Sequence, residues 1–134
     1  MPKDLIPMPP LRWRLLLLNQ ISMNMTQEFQ KLQAQIKEFV KERDWEKFHN
    51  AKDLALALSI EAAELNECFL WKSASQGNID KIQDELADIL IYAILFADKY
   101  EFNIQELILK KLDKNAQKYP VDKAKGNAIK YTEL

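Results

Sequence analysis

Glu61, Glu64 and Glu67 stand three residues apart in a stretch that is otherwise almost wholly apolar. Three residues make roughly 300° of helical turn, so each carboxylate lies roughly 60° from the last and the three form one stripe. Glu85 and Asp88 repeat the spacing, and Tyr92 follows Asp88 at a separation of four, on the same helical face. No lysine or arginine lies between Asp53 and Trp71, so nothing local offsets the first stripe. Like charges so spaced cost only about 0.2–0.5 kcal/mol when exposed, but far more once burial strips their hydration. A cation is the natural counterweight. All-oxygen donors suit hard ions, Mg²⁺ or its substitute Mn²⁺, better than zinc. Mg²⁺ keeps waters and takes substrate phosphates, so Glu61, Glu64, Glu85 and Asp88 point to phosphoryl chemistry. One Glu-x-x-Glu is an ordinary solvated face. Two acidic pairs, both in apolar helices and both flanked by aromatics, favour an ion site.

The elements that must position these side chains are helices. Phe29, Leu32, Ile36, Phe39 and Val40 fall at helical spacing and predict an amphipathic helix over Gln27 to Arg43. Asp44 to His49 breaks the pattern as an aromatic connector. Asn50 with Asp53 reads as an N-cap and first-turn acid, opening a second helix to about Trp71. Leu54, Leu56, Leu58, Ile60, Leu65, Phe69 and Leu70 lie nearly all round this helix, which predicts that it is mostly buried. Lys72 to Asn78 is a loop. A third helix starts at Ile79 or Asp80 and runs to about Lys99, and a fourth covers Asn103 to Lys118 before Pro120 and a polar tail. The expected fold is all-α, a four-helix-bundle-type subunit or a dimer of helical hairpins.

Composition bounds the function classes. The 134 residues make one domain, the hydrophobic fraction of 48% excludes a disordered chain, and two glycines are few for a sheet protein. A net charge of −1 provides no global field for nucleic acid. The apolar run Ile89 to Ala97 is too short to span a bilayer, and the lone Cys68 fits a reducing, cytoplasmic setting. Pro2, Pro7, Pro9 and Pro10, then Leu11 to Leu18, set residues 1–24 apart as a flexible extension preceding a 25–134 domain, with Met25 as a natural start. An anchor built on Trp13 and the leucines is the alternative.

Glu61-Ala-Ala-Glu64, twenty residues, then Glu85-Leu-Ala-Asp88 resembles the signature of the MazG-like, all-alpha NTP pyrophosphatases. Glu42-Arg-Asp-Trp-Glu-Lys-Phe-His49, Phe69-Leu-Trp71, Asp84 to Tyr92, Lys118-Tyr-Pro120 and Lys130 to Leu134 resemble the dCTP pyrophosphatase branch. The likeness runs from about Leu32 to Leu134. It implies Mg²⁺-dependent cleavage of a dCTP-like nucleoside triphosphate to monophosphate and pyrophosphate, as nucleotide-pool house-cleaning. It implies Mg²⁺ on Glu61, Glu64, Glu85 and Asp88, with Trp45, His49 and Trp71 lining the base and sugar pocket. Asp88 and Tyr92 then stand on the substrate side of the metal. Homotetramers, dimers of dimers with sites near subunit interfaces, are also implied. Ile60 fits the dCTP branch, whereas Ile36 replaces a substrate-contacting His of vertebrate members and leaves base preference open.

Taken alone, Trp45 and Trp71 read as core and His49 as a hydrogen bonder at a helix start; the resemblance turns all three toward the nucleotide. Glu64 or Glu67 could take the proton of an attacking water, and the spacing does not choose between them. Lys111, Lys114 and Lys118 share a face that is ordinary solvated surface unless one reaches a phosphate. Cys68 reads as filler without a partner to activate it. A di-iron bundle needs Glu-x-x-His on two helices, which one histidine cannot supply. The rival readings are a broader or dUTP-directed pyrophosphatase, and a non-enzymatic module whose acidic stripe meets a basic partner.

Overall fold

The computed structural model describes residues 11–134, in which all regular structure is helical. The prolines of the expected extension, Pro2 to Pro10, lie outside the described residues. Four long helices follow in order: α1 (Leu11–Glu42), α2 (Ala51–Glu67), α3 (Ile79–Lys99) and α4 (Ile104–Lys118), then the short α5 (Val121–Ala124). No helix among the described residues is long and apolar enough to cross a membrane. The chain divides into a unit ending at Glu46 and a second, Lys47–Leu134.

In the first unit, α1 is 32 residues long and starts at Leu11, well before the expected Gln27. Leu, Arg, Met and Gln propagate a helix readily, and no proline lies between residues 11 and 42 to interrupt it. Ile36 and Val40, four apart, are buried, whereas Leu15, Leu16, Leu17 and Leu18 are all exposed. The helix ends in a Schellman turn. The Asp44 N–H donates to the Lys41 carbonyl at 2.9 Å and the Trp45 N–H to the Val40 carbonyl at 3.1 Å. Asp44 adopts the left-handed conformation this needs, with φ of 54°.

In the second unit, α2 starts as expected: the Asn50 side chain accepts from the Asp53 N–H at 3.0 Å. It ends at Glu67 rather than Trp71. The N–H groups of Cys68, Phe69 and Leu70 turn to carbonyls three residues back, tightening the chain before Trp71, where φ is 60°. Asn78 caps α3 through the Lys81 N–H, and Asn103 caps α4 through the Glu106 N–H, each at 3.1 Å. The connector 68–78 is short enough to fold α3 back on α2, and these two helices form the main packed pair. Gly77 permits the closure, because a Cβ there would lie 2.6 Å from Ile82 Cδ1 and 2.9 Å from Phe69 Cε1. Ser73 braces the same loop, its N–H donating to Gln76 Oε1 at 2.8 Å.

The core of this unit is Leu54, Cys68, Ile94, Leu95 and Ala97. The expectation that α2 is mostly buried is therefore corrected. Leu54 is its one buried residue, while Leu56 and Ile60 remain 58% and 49% exposed. The cause is geometric: apolar residues on all sides of a helix need cover on all sides, and within its unit α2 packs extensively on α3 alone.

Candidate metal centre

Glu61 and Glu64 project from adjacent turns of α2, and Glu85 from the second turn of α3. Packing the two helices brings one carboxylate oxygen of each to within 4.8 Å of the others. Glu61 and Glu85 are half-buried and Glu64 is exposed, so the expectation of a largely desolvated cluster is corrected to a partly hydrated one. The electrostatics are nonetheless unfavourable to charge. Burial pushes the Glu61 carboxyl above the usual glutamate range, and the charges of Glu64, Asp88 and Glu85 push it the same way.

Asp88, one turn beyond Glu85 and half-buried, stands outside the 4.8 Å set. Its influence is electrostatic, since its charge raises both Glu61 and Tyr92. Burial is the larger cause at the Tyr92 phenol, followed by Glu61 and Asp88. Tyr92 thus belongs to the same neighbourhood, as its spacing from Asp88 predicts. Glu67, the last residue of α2, is exposed and also outside the set.

His49 meets Tyr92 edge to face, with ring centroids 6.5 Å apart at 70°. Its Nδ1 is buried without a hydrogen-bond partner. Burial, and secondarily the Lys99 charge, lower its pKa from 6.5, so the imidazole is neutral at neutral pH. A neutral ring with one unsatisfied nitrogen is equipped to exchange a hydrogen bond with a polar ligand. Trp71 lies past the end of α2 and is 94% exposed. Trp45 belongs to the first unit, where its ring meets Phe39 at 6.0 Å and 74°. Lys111 and Lys114 line a groove of about 490 Å³ along α4 with Leu107, Ile108 and Leu112. Cys68 is buried, its Sγ 3.6 Å from the Glu64 carbonyl, as filler should be.

The donor set is oxygen only. Three carboxylates with two half-buried members fit a hard divalent cation, and they leave coordination positions for water and phosphate oxygens. Neither the sulfur of Cys68 nor the nitrogens of His49 belong to the set, which argues against a soft metal. Two features escaped the sequence: the ring contact of His49 with Tyr92, and a stacked guanidinium, Arg43, on Phe39. The second was detectable, because residues 39 and 43 are one helical turn apart.

The MazG-like family matches residues 56–134. Mouse dCTP pyrophosphatase 1 is 40% identical over 105 residues, covering 72% of this chain and 62% of that protein. Human dCTP pyrophosphatase 1 matches to the same extent, 40% over 105 residues. The matched region thus spans less than two thirds of these relatives' length. A crystal structure of a pyrophosphatase from Archaeoglobus fulgidus aligns with a TM-score of 0.66 at 36% identity, covering 69% of this chain and 93% of that one.

Proposed function

Because the chain belongs to the MazG-like family, we propose that it is a nucleoside triphosphate pyrophosphohydrolase acting on a dCTP-like substrate. The meeting of Glu61, Glu64 and Glu85 carboxylates within 4.8 Å is the observation that carries this reading. Such a cluster is costly for a helical hairpin with no neighbouring cation.

Glu61, Glu64 and Glu85, with Asp88 beside them, would hold Mg²⁺, or Mn²⁺ in its place. When bound, the ion supplies charge neutralisation and alignment for the triphosphate. Glu64 or Glu67 takes a proton from water as its oxygen attacks the α-phosphorus in line. The new P–O bond forms as the bond to the bridging oxygen of the β-phosphate breaks, and pyrophosphate leaves. Tyr92 and Asp88 bound the reacting region. His49, with its unsatisfied Nδ1, contacts sugar or base, and Trp45 and Trp71 stack on the base.

A cytosine base is favoured by the likeness to the dCTP pyrophosphatases of mouse and human. Ile36 widens the reading, because a histidine contact is replaced by an apolar one; dUTP or a broader set of bases is the second candidate. The domain proper is residues 25–134, and the setting is cytoplasmic, in keeping with one buried free thiol. Self-association as a homotetramer would cover the exposed Leu107, Ile108 and Leu112 of α4 and complete a helix bundle.

The test is a panel of canonical and modified (deoxy)nucleoside triphosphates with Mg²⁺, scored for pyrophosphate against orthophosphate. Pyrophosphate release with a cytosine preference is expected, and EDTA should abolish it. Orthophosphate alone, or no turnover at all, contradicts the proposal.

A further inference from the structure

We infer that Arg43 is a positioning residue for base recognition, holding the Trp45 ring in a stacking-ready orientation. The inference rests on the reading of Trp45 as a base-stacking side chain. Its support is the termination of α1, where three side chains interlock.

Trp45 is the third residue past the end of α1, and its N–H is tied back to the Val40 carbonyl. That bond fixes the backbone of Trp45 but leaves both side-chain torsions free. Phe39, one position before Val40, meets the Trp45 ring edge to face at 6.0 Å, the apolar contact that accompanies a Schellman turn. Phe39 is itself 49% exposed and would be mobile if left alone. Arg43 supplies the missing restraint. Its Cζ lies over the Phe39 ring, 3.6 Å from the centroid, and 5.9 Å from the centroid of Trp45. One guanidinium nitrogen, Nη1, donates to the Phe39 carbonyl at 2.9 Å and lies 3.5 Å from a Glu42 carboxylate oxygen. The planar group is thereby anchored at one end and spread over an aromatic face at the other.

Trp45 is 44% exposed, more than a packed core residue would be. An exposed ring held by its neighbours is suited to accept a flat ligand, since its rotamer entropy is already spent before binding. Lysine cannot reproduce this arrangement, because an ammonium neither stacks nor forks.

The test is steady-state kinetics on dCTP, with Mg²⁺, for the full chain and for Arg43→Met, Arg43→Lys, Trp45→Leu and Arg43→Met/Trp45→Leu. Arg43→Met should raise KM roughly three- to tenfold with kcat within about twofold. Arg43→Lys keeps the charge at the helix C-terminus and should recover only part of that rise. The double variant should be no worse than Trp45→Leu alone. Circular dichroism checks that each variant keeps its helices. A raised KM for Trp45→Leu with a normal KM for Arg43→Met overturns the inference and leaves the stacking role standing. Additive effects in the double variant overturn it too, because Arg43 would then act independently of Trp45. An unchanged KM in Trp45→Leu removes the stacking role itself, and the inference with it.

Discussion

The α2–α3 hairpin and the turns that follow α1 and α2 carry the two kinds of side chain expected to handle a nucleotide, and they hold them by different means. Glu61, Glu64 and Glu85 sit within regular helix, fixed by packing between two helices. Trp45 and Trp71 sit past helix ends, at or beside residues with positive φ, and are 44% and 94% exposed. The difference follows from cost. Carboxylates repel one another, so a rigid backbone is needed to keep them together. Aromatic rings exposed on turns cost little in the free protein and gain when a base covers them.

If charge is the demanding part, the largest losses come from neutralising it. Glu64→Gln or Asp88→Asn should lower turnover by about 10²-fold or more while the helical circular-dichroism spectrum stays unchanged. Near-normal rates in both would dissolve the distinction. On the aromatic side, Trp71→Ala should raise KM about tenfold by loss of stacking. Its melting temperature should stay close to the parent's, since a residue 94% exposed supports little packing. A large drop in melting temperature would place Trp71 in an interface instead.

Smaller effects sharpen the contrast from within the hairpin. Gly77→Ala forces a Cβ toward Ile82 and Phe69 and should cost about 1–2 kcal/mol in chemical denaturation. Smaller still, Glu61→Gln should raise the melting temperature of the metal-free protein by roughly 2 °C, because it removes a repelled charge. Acid should do the same. A carboxyl whose folded pKa lies above its unfolded value binds its proton more tightly in the folded state. Its stabilising contribution is complete below about 4.5, the ordinary value, and is lost as pH rises through the raised one. With Mg²⁺ present the trend should reverse, since protons then compete with the ion.

Much of this was legible in the chain. The spacing of Glu61 with Glu64 and of Glu85 with Asp88 set two acidic pairs, of which Glu61, Glu64 and Glu85 meet, and Asn50 marked the start of α2 through a short side chain that reaches its own backbone, the device by which Asn78 and Asn103 also cap α3 and α4. What misled was burial. Leu56 and Ile60 predict cover on faces of α2 that one chain leaves exposed, because periodicity reports that a face is apolar without reporting what covers it. The helix end at Glu67 was hidden for a different reason: Cys68, Phe69 and Leu70 are all compatible with helix, and only their hydrogen bonds reveal the tightening. The start of α1 at Leu11 escaped because no Ser, Thr, Asp or Asn immediately precedes it in the sequence.

The three clustered glutamates are proposed to hold a divalent cation. Calorimetric titration of Mg²⁺ into the full chain and into its Glu61→Gln/Glu85→Gln variant tests this without reference to substrate. Saturable binding by the parent chain and its loss in the variant is the expected result. Equal binding by both proteins, or none by either, would contradict it.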